Sequence, residues 1–182
     1  MSSIVISGDT SGAITLSAPA VAGTNTATLP AATGTVMVSG NMPAFSASPS
    51  SNQTISHNTT TKILLQTEQY DTNNNFASST FTPTVAGYYN ITGQLRLDFV
   101  AGRQIGVNLF IYKNGSTYLG TETSFVVGTG ASFTANINAI ISMNGSTDTI
   151  EFYTYVYDYT ASASSTAIAT QVRLQGFLAR TA

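Results

Sequence analysis

The sequence predicts an all-β protein, a two-sheet sandwich preceded by an extended β arm. Three observations predict it: long stretches alternate with period two, Gly and Asn-Gly turns punctuate them, and no helical period persists beyond a turn or two. The clearest stretch begins after Gly87, where Tyr89, Ile91, Gly93, Leu95, Leu97 and Phe99 alternate with Asn90, Thr92, Gln94, Arg96 and Asp98. Successive side chains of a strand point to opposite faces, so this pattern puts one face in a core.

Taken in order, the first elements are short. Ile4-Val5-Ile6, then residues 13–17, 26–29 and 35–38, read as strand-like segments separated by Gly8, Gly12, Pro19, Gly23, Pro30 and Gly34. Residues 1–42 carry one charged side chain, Asp9, and none of the nine Tyr or nine Phe. A segment without large side chains cannot build its own core. Residues 1–42 are therefore expected to be either a flexible leader or an arm that orders in an oligomer or on a scaffold, and residues 43–182 a separate knob.

In the knob, residues 43–47 open the fold, 61–66 follow, and the Asn-rich stretch 70–79 reads as a loop. Pro83 cannot donate to a central ladder, so it belongs to the approach of the strand that starts at Gly87. Further strands are expected at 87–99, 105–113, 117–127, 132–143, 149–157 and 168–180. Asn114-Gly115 and Asn144-Gly145 lie between strand-like runs, and both residue types tolerate the positive φ of a tight hairpin. Gly128-Thr129-Gly130 reads as a turn.

Composition narrows the function. Only 8% of the 182 residues are charged, the net charge is −2, and 42% are hydrophobic. Nothing supplies the basic patch of an electrostatic nucleic-acid binder, and the composition is not that of a disordered chain. There is no cysteine, hence no disulfide framework. No stretch approaches the roughly 18 apolar residues of a membrane span, and no secretion signal is visible, so a soluble protein with no membrane partner is expected.

Catalysis is not expected. His57, the only histidine, sits in the polar text Ser56-His57-Asn58-Thr59 and reads as a solvated loop residue. No G-x-S-x-G elbow is present. The eight carboxylates, Asp9, Glu68, Asp71, Asp98, Glu122, Asp148, Glu151 and Asp158, show no pairing by spacing that would serve glycoside hydrolysis. The surface candidate is a tyrosine ladder. Ile150, Phe152, Thr154 and Val156 form the natural core face of one strand, and Glu151, Tyr153, Tyr155 and Tyr157 the other. Tyr combines an apolar body with a polar tip, which suits a half-wet contact with protein or sugar as well as plain cross-strand packing.

Four motifs, in order and at matching spacing, carry a resemblance. They are Tyr70-Asp71-Thr72-Asn73-Asn74-Asn75-Phe76, Phe81-Thr82-Pro83 with Ala86-Gly87-Tyr88-Tyr89, Ile111-Tyr112-Lys113-Asn114-Gly115, and the pair 140–148 and 172–178. Together they resemble the globular head of complement component 1q, a trimeric relative of the tumour-necrosis-factor fold. The resemblance spans residues 43–182 and implies a jelly roll that forms a homotrimer about an axis parallel to its strands. Some relatives hold calcium near that axis, with a carboxylate that Asp148 resembles. Where they carry a further acid, this chain has Val127-Gly128-Thr129-Gly130, so Asp148 is expected to be a turn residue, with no metal and no cofactor.

A second resemblance lies in the arm. Ser11 to Val36, S-G-A-I-T-L-S-A-P-A-V-A-G-T-N-T-A-T-L-P-A-A-T-G-T-V, is similar to a segment of bacteriophage tail and virion-surface proteins. The two resemblances together imply a non-enzymatic protein of the virion surface. One form is a capsid decoration (cement or head-fibre) protein anchored to the major capsid protein by its arm. The other is the receptor-binding knob of a tail fibre, attached to tail proteins and recognising a host glycan or protein. The short arm, without a long shaft, favours the first.

Overall fold

The computed structural model describes residues 3–28, 31, 33–34, 36–126, 132–167 and 169–182. The chain divides into two compact units, Met1–Gly34 and Thr35–Ala182.

The first unit contains a hairpin of β1 (Ser3–Ser7) and β2 (Ala13–Ser17). Ile4 lies opposite Leu16 and Ile6 opposite Ile14. Its turn closes through the Gly8 N–H, which donates to the Gly12 carbonyl at 3.0 Å, with Gly12 at φ 77°. All ten strand residues are exposed. The strands expected at 26–29 and 35–38 are absent over residues 26–28 and 36–38, while Leu29 and Thr35 lie outside the described residues. Alternating text becomes a strand only when a second chain segment pairs with it, and among the described residues none does.

The second unit is a sandwich. One sheet is built on β9 (Gly87–Asp98), flanked on one side by β12 (Ser132–Met143) and on the other by β15 (Arg173–Thr181). Beyond β15 come β3 (Ala44–Ser48) and β6 (Thr67–Asp71), while β14 (Ser165–Ala167) extends the same edge of β9 and carries β4 (Gln53–Ile55). The opposing sheet centres on β13 (Ile150–Asp158), between β10 (Gln104–Lys113) and the short β5 (Thr60–Lys62) and β8 (Thr80–Phe81). β11 (Ser116–Val126) pairs β10 at one end, and β7 (Phe76–Ala77) pairs β8 at the other. Among the described residues there is no α-helix.

The alternation read from sequence governs the packing. In β9 every odd residue from Tyr89 to Leu97 is buried, and β13 shows the same beat with Ile150, Phe152, Thr154 and Val156 inward. Between the sheets, Phe45 stacks on Phe81 at 4.2 Å and on Phe76 at 5.2 Å, and Phe81 meets Tyr89 edge-on. The Tyr89 hydroxyl escapes the apolar core by donating to the Val85 carbonyl at 2.7 Å, and burial pushes its pKa up to about 12. Gly115 (φ 75°) and Gly145 (φ 71°) both take the left-handed conformation, and Asn114 shares it at φ 54°. Asn144-Gly145 does not form the expected hairpin, however: β12 pairs β9 and β13 pairs β10, so this turn crosses from one sheet to the other.

Three more expectations need correction. The strand at 61–66 stops at Lys62: the Ile63 N–H still donates to the Phe152 carbonyl of β13 at 2.9 Å, but the amides after it find side-chain partners, Leu64 N–H donating to Gln53 Oε1 and Leu65 N–H to Ser79 Oγ. The stretch 70–79 is not all loop, since it contains the end of β6 and all of β7. The closing strand begins at Arg173 rather than 168, because Ala169–Gln171 form a 3-10 turn. The expected turn at Gly128-Thr129-Gly130, and the strand end at Val127, lie outside the described residues.

Candidate functional site

The outward face of β13 holds the tyrosine ladder. Tyr153, Tyr155 and Tyr157 are half-buried and point away from the core, and Tyr159 continues the same parity just beyond the strand. Tyr153 is committed to packing: its ring stacks on Tyr112 at 4.2 Å and its hydroxyl donates to Glu151 Oε2 at 3.3 Å. Burial and the Glu151 carboxylate both raise the Tyr153 pKa. Glu151 is itself pushed up by burial, but Lys62 Nζ at 2.6 Å, helped by the Thr80 and Tyr153 hydroxyls, holds its pKa below the usual value.

The remaining ladder borders a hollow of about 330 Å³ lined by Gly106, Asn108, Glu122, Tyr155, Tyr157 and Tyr159. Strand register explains its shape. Asn108 lies opposite Glu122 on one side and Tyr155 on the other, making one polar row across three strands. The rows on either side contain glycines roofed by aromatic rings. A Cβ at Gly120 would meet the Phe110 ring at 2.8 Å, and one at Gly106 the Tyr159 ring at 3.2 Å. The polar row is thus a floor between aromatic walls. Tyr157 contacts both Tyr159 and His57 at 4.7 Å, and the Tyr155 hydroxyl donates to Asn58 Oδ1 at 2.6 Å.

The wall at Tyr159 is held by Asp158, whose carboxylate is buried and accepts from Arg103 Nη1 at 2.8 Å, Thr160 N–H at 2.8 Å, Ala161 N–H at 3.0 Å and Ala163 N–H at 3.4 Å. Burial pushes this carboxyl up, yet the Ala161 and Thr160 N–H groups and the Arg103 guanidinium outweigh it and hold the pKa below the usual carboxylate range. His57 is not the solvated loop residue expected from its neighbours. It bridges to Val156, and its Nδ1 accepts the Asp158 N–H at 3.0 Å. Backbone pairing with a strand distant in sequence placed it there.

Asp148 sits in the Asn144-Gly145 turn, its Oδ1 accepting from Asn114 Nδ2 at 2.8 Å and its Oδ2 from Lys113 Nζ at 2.9 Å and Asn144 N–H at 2.9 Å. Hydrogen bonds from Asn114 and Lys113 lower its pKa. This donor set does not fit calcium, which takes six to eight oxygens: an ammonium group already faces the carboxylate. Among the described residues no group of three or more His, Cys, Asp or Glu side chains converges on a point. Glu151, Asp158, Asp148 and Asp98 are each paired with their own cation, Lys62, Arg103, Lys113 and Arg96.

No protein-family model matches the sequence, and no curated protein does. Solved structures do. The globular domain of the zebrafish complement 1qA protein superposes with a TM-score of 0.55 at 14% identity, covering 77% of this chain and 98% of that one. The chain has a jelly-roll fold like that of C1q and tumour-necrosis-factor domains. Murine APRIL matches this jelly roll at a TM-score of 0.53 and 10% identity, over 75% of this chain and 98% of its own. The Eiger TNF of S. frugiperda does so at 0.52 and 10%, over 78% and 93%. At these identities the likeness is one of fold, and the side chains of the jelly roll's tyrosine face must be read on their own chemistry.

Proposed function

We propose that this protein is a non-enzymatic component of a bacteriophage virion surface, a homotrimeric decoration knob held to the major capsid protein by its N-terminal arm. The observation that carries the association is the outward face of the β9 sheet. Phe177, Ile140, Tyr88 and Tyr70 stand there 51%, 61%, 41% and 50% exposed. Around them lie uncharged groups, Asn90, Thr92, Asn138 and Gln175, with Asn138 Nδ2 clasping both Asn90 Oδ1 and Thr92 Oγ1 at 2.7 Å. An apolar patch with few charges is the composition of a protein interface.

The arm supports anchorage. Its hairpin leaves Ile4, Val5, Ile6, Ile14 and Leu16 each more than half exposed, and an isolated two-stranded hairpin is marginal in water. Burial in an assembly would stabilise it. The likeness of residues 11–36 to phage virion segments supplies the kind of assembly. Nucleic acid is a poor partner: of six Lys and Arg, four are tied in ion pairs and Arg180 lies over the Tyr88 ring.

The test is truncation. Removing residues 1–34 should leave a folded, self-associated jelly roll that no longer copurifies with particles of the phage that encodes it, as read by mass spectrometry of gradient-purified virions. Normal occupancy of the truncated protein would overturn the anchoring role. Particles lacking the whole protein should lose their genome at lower temperature yet still adsorb. The alternative, a tail-fibre receptor-binding knob, is favoured by the tyrosine-walled hollow and predicts the reverse pair of phenotypes.

A further inference from the structure

The geometry points to a binding site for a neutral pyranose saccharide in the hollow bounded by Tyr155, Tyr157 and Tyr159, with Asn108 and Glu122 as its polar readers. This deepens the adhesive alternative and rests on it only for the origin of the sugar, since the site itself lies within one chain.

Three features support a sugar over other ligands. First, the walls are phenol rings that stay half-exposed, and the Tyr157 and Tyr159 hydroxyls have no hydrogen-bond partner among the described residues. A tyrosine ring offers an apolar surface for the C–H face of a pyranose and a polar tip for its hydroxyls. Second, the floor carries unspent polar capacity. Among the described residues neither the Asn108 side chain nor the Glu122 carboxylate has a hydrogen-bond or ion-pair partner. A carboxylate accepts from two vicinal hydroxyls through charge-assisted bonds, and an amide both donates and accepts, which together match a diol.

Third, among the described residues no Lys, Arg or His lines the hollow, and Glu122 gives it a negative charge. Phosphate, sulfate and carboxylate sugars would meet repulsion without a compensating cation, so the site selects neutral ones. A volume of about 330 Å³ is at the lower end of the roughly 300–1,000 Å³ of small-molecule sites. That suits one or two sugar rings better than a folded partner. Gly106 helps to shape the hollow: a Cβ there would crowd the Tyr159 ring that walls it, at 3.2 Å.

The test uses the purified full chain, away from any particle, so its outcome is separate from that of the virion assignment. Maltotriose, cellotriose and tri-N-acetylchitotriose serve as neutral probes and sialyllactose as the anionic control, with saturation-transfer NMR for detection and titration of tyrosine ring resonances for affinity. At least one neutral probe should bind in the millimolar range or tighter and shift the ring signals of Tyr157 and Tyr159. Tyr157→Ala should weaken that binding about tenfold, the loss of one stacked ring. Glu122→Gln, at an exposed residue that holds nothing else in place, should weaken it with the fold intact by circular dichroism. The inference fails if no neutral probe binds at millimolar concentration, if sialyllactose alone binds, or if Glu122→Gln leaves the affinity of a bound neutral probe unchanged.

Discussion

Replacing Asp158 by Asn tests whether one buried carboxylate organises the turn after β13. The two side chains have nearly the same shape, so the change removes charge and turns one oxygen into a donor. If the amide oxygen keeps Thr160 and Ala161, the new NH2 group faces Arg103 Nη1 and the Ala163 N–H, both donors, which sit 2.8 and 3.4 Å from the lost oxygen. A charge-assisted hydrogen bond contributes about 1.5–3 kcal/mol, and breaking a fully buried pair costs about 3–5 kcal/mol. The Asp158 side chain is 1% exposed but that of Arg103 is 20%, so water recovers part of the arginine's solvation. The expected loss is therefore about 2–4 kcal/mol, below the fully buried limit.

Urea unfolding at fixed chain concentration, followed by tyrosine emission in a chain with no tryptophan, measures it. Acid provides a second handle. The folded pKa of Asp158 lies below its unfolded value of 3.8, so its stabilisation is complete above 3.8 and disappears as pH falls through the folded value. The gap between native protein and Asp158→Asn should thus be constant from pH 7 down to about 5 and close below pH 4. A midpoint shift equivalent to less than about 0.5 kcal/mol at pH 7, the scatter of an ordinary surface change, would refute the organising role.

Two further outcomes follow from the packing. Gly93→Ala should destabilise by about 1–3 kcal/mol, because its Cβ would stand 2.8 Å from the Phe152 ring and 3.1 Å from Ile137 Cγ2; an unchanged thermal midpoint would show that the sheets separate without cost. Lys62→Met should raise the Glu151 pKa, since burial then acts without the ammonium group; a carboxyl-carbon NMR titration that stays in place would contradict this.

The residues of the hollow show where sequence reading stopped. That Tyr153, Tyr155 and Tyr157 face away from the core followed from alternation with Ile150, Phe152, Thr154 and Val156, and β13 has that orientation. Asn108 and Glu122 gave no signal, because an isolated Asn and an isolated Glu are ordinary in exposed strands. Their significance comes from a register that sets residue 108 between 122 and 155. Tyr159 could have been found by extending the alternation two residues past the expected strand end.

By itself the sequence determined which segments are long strands and which of their faces are apolar, because the two-residue period is a property of the backbone that every residue feels locally. It also determined the tight hairpin at Asn114-Gly115, where both residues take positive φ, and the left-handed glycine at Gly145, although the latter turn joins two sheets rather than two paired strands. Tertiary structure alone decided which strands are neighbours, and with that the short strands Gln53–Ile55 and Ser165–Ala167, which exist only because they pair with each other and with the end of β9. It decided as well that His57 joins β13 and that Arg103 meets Asp158. Hydrogen-bond ladders and ion pairs are satisfied by whichever partner the packed sheets bring within about 3 Å, and no local pattern encodes a partner fifty residues away.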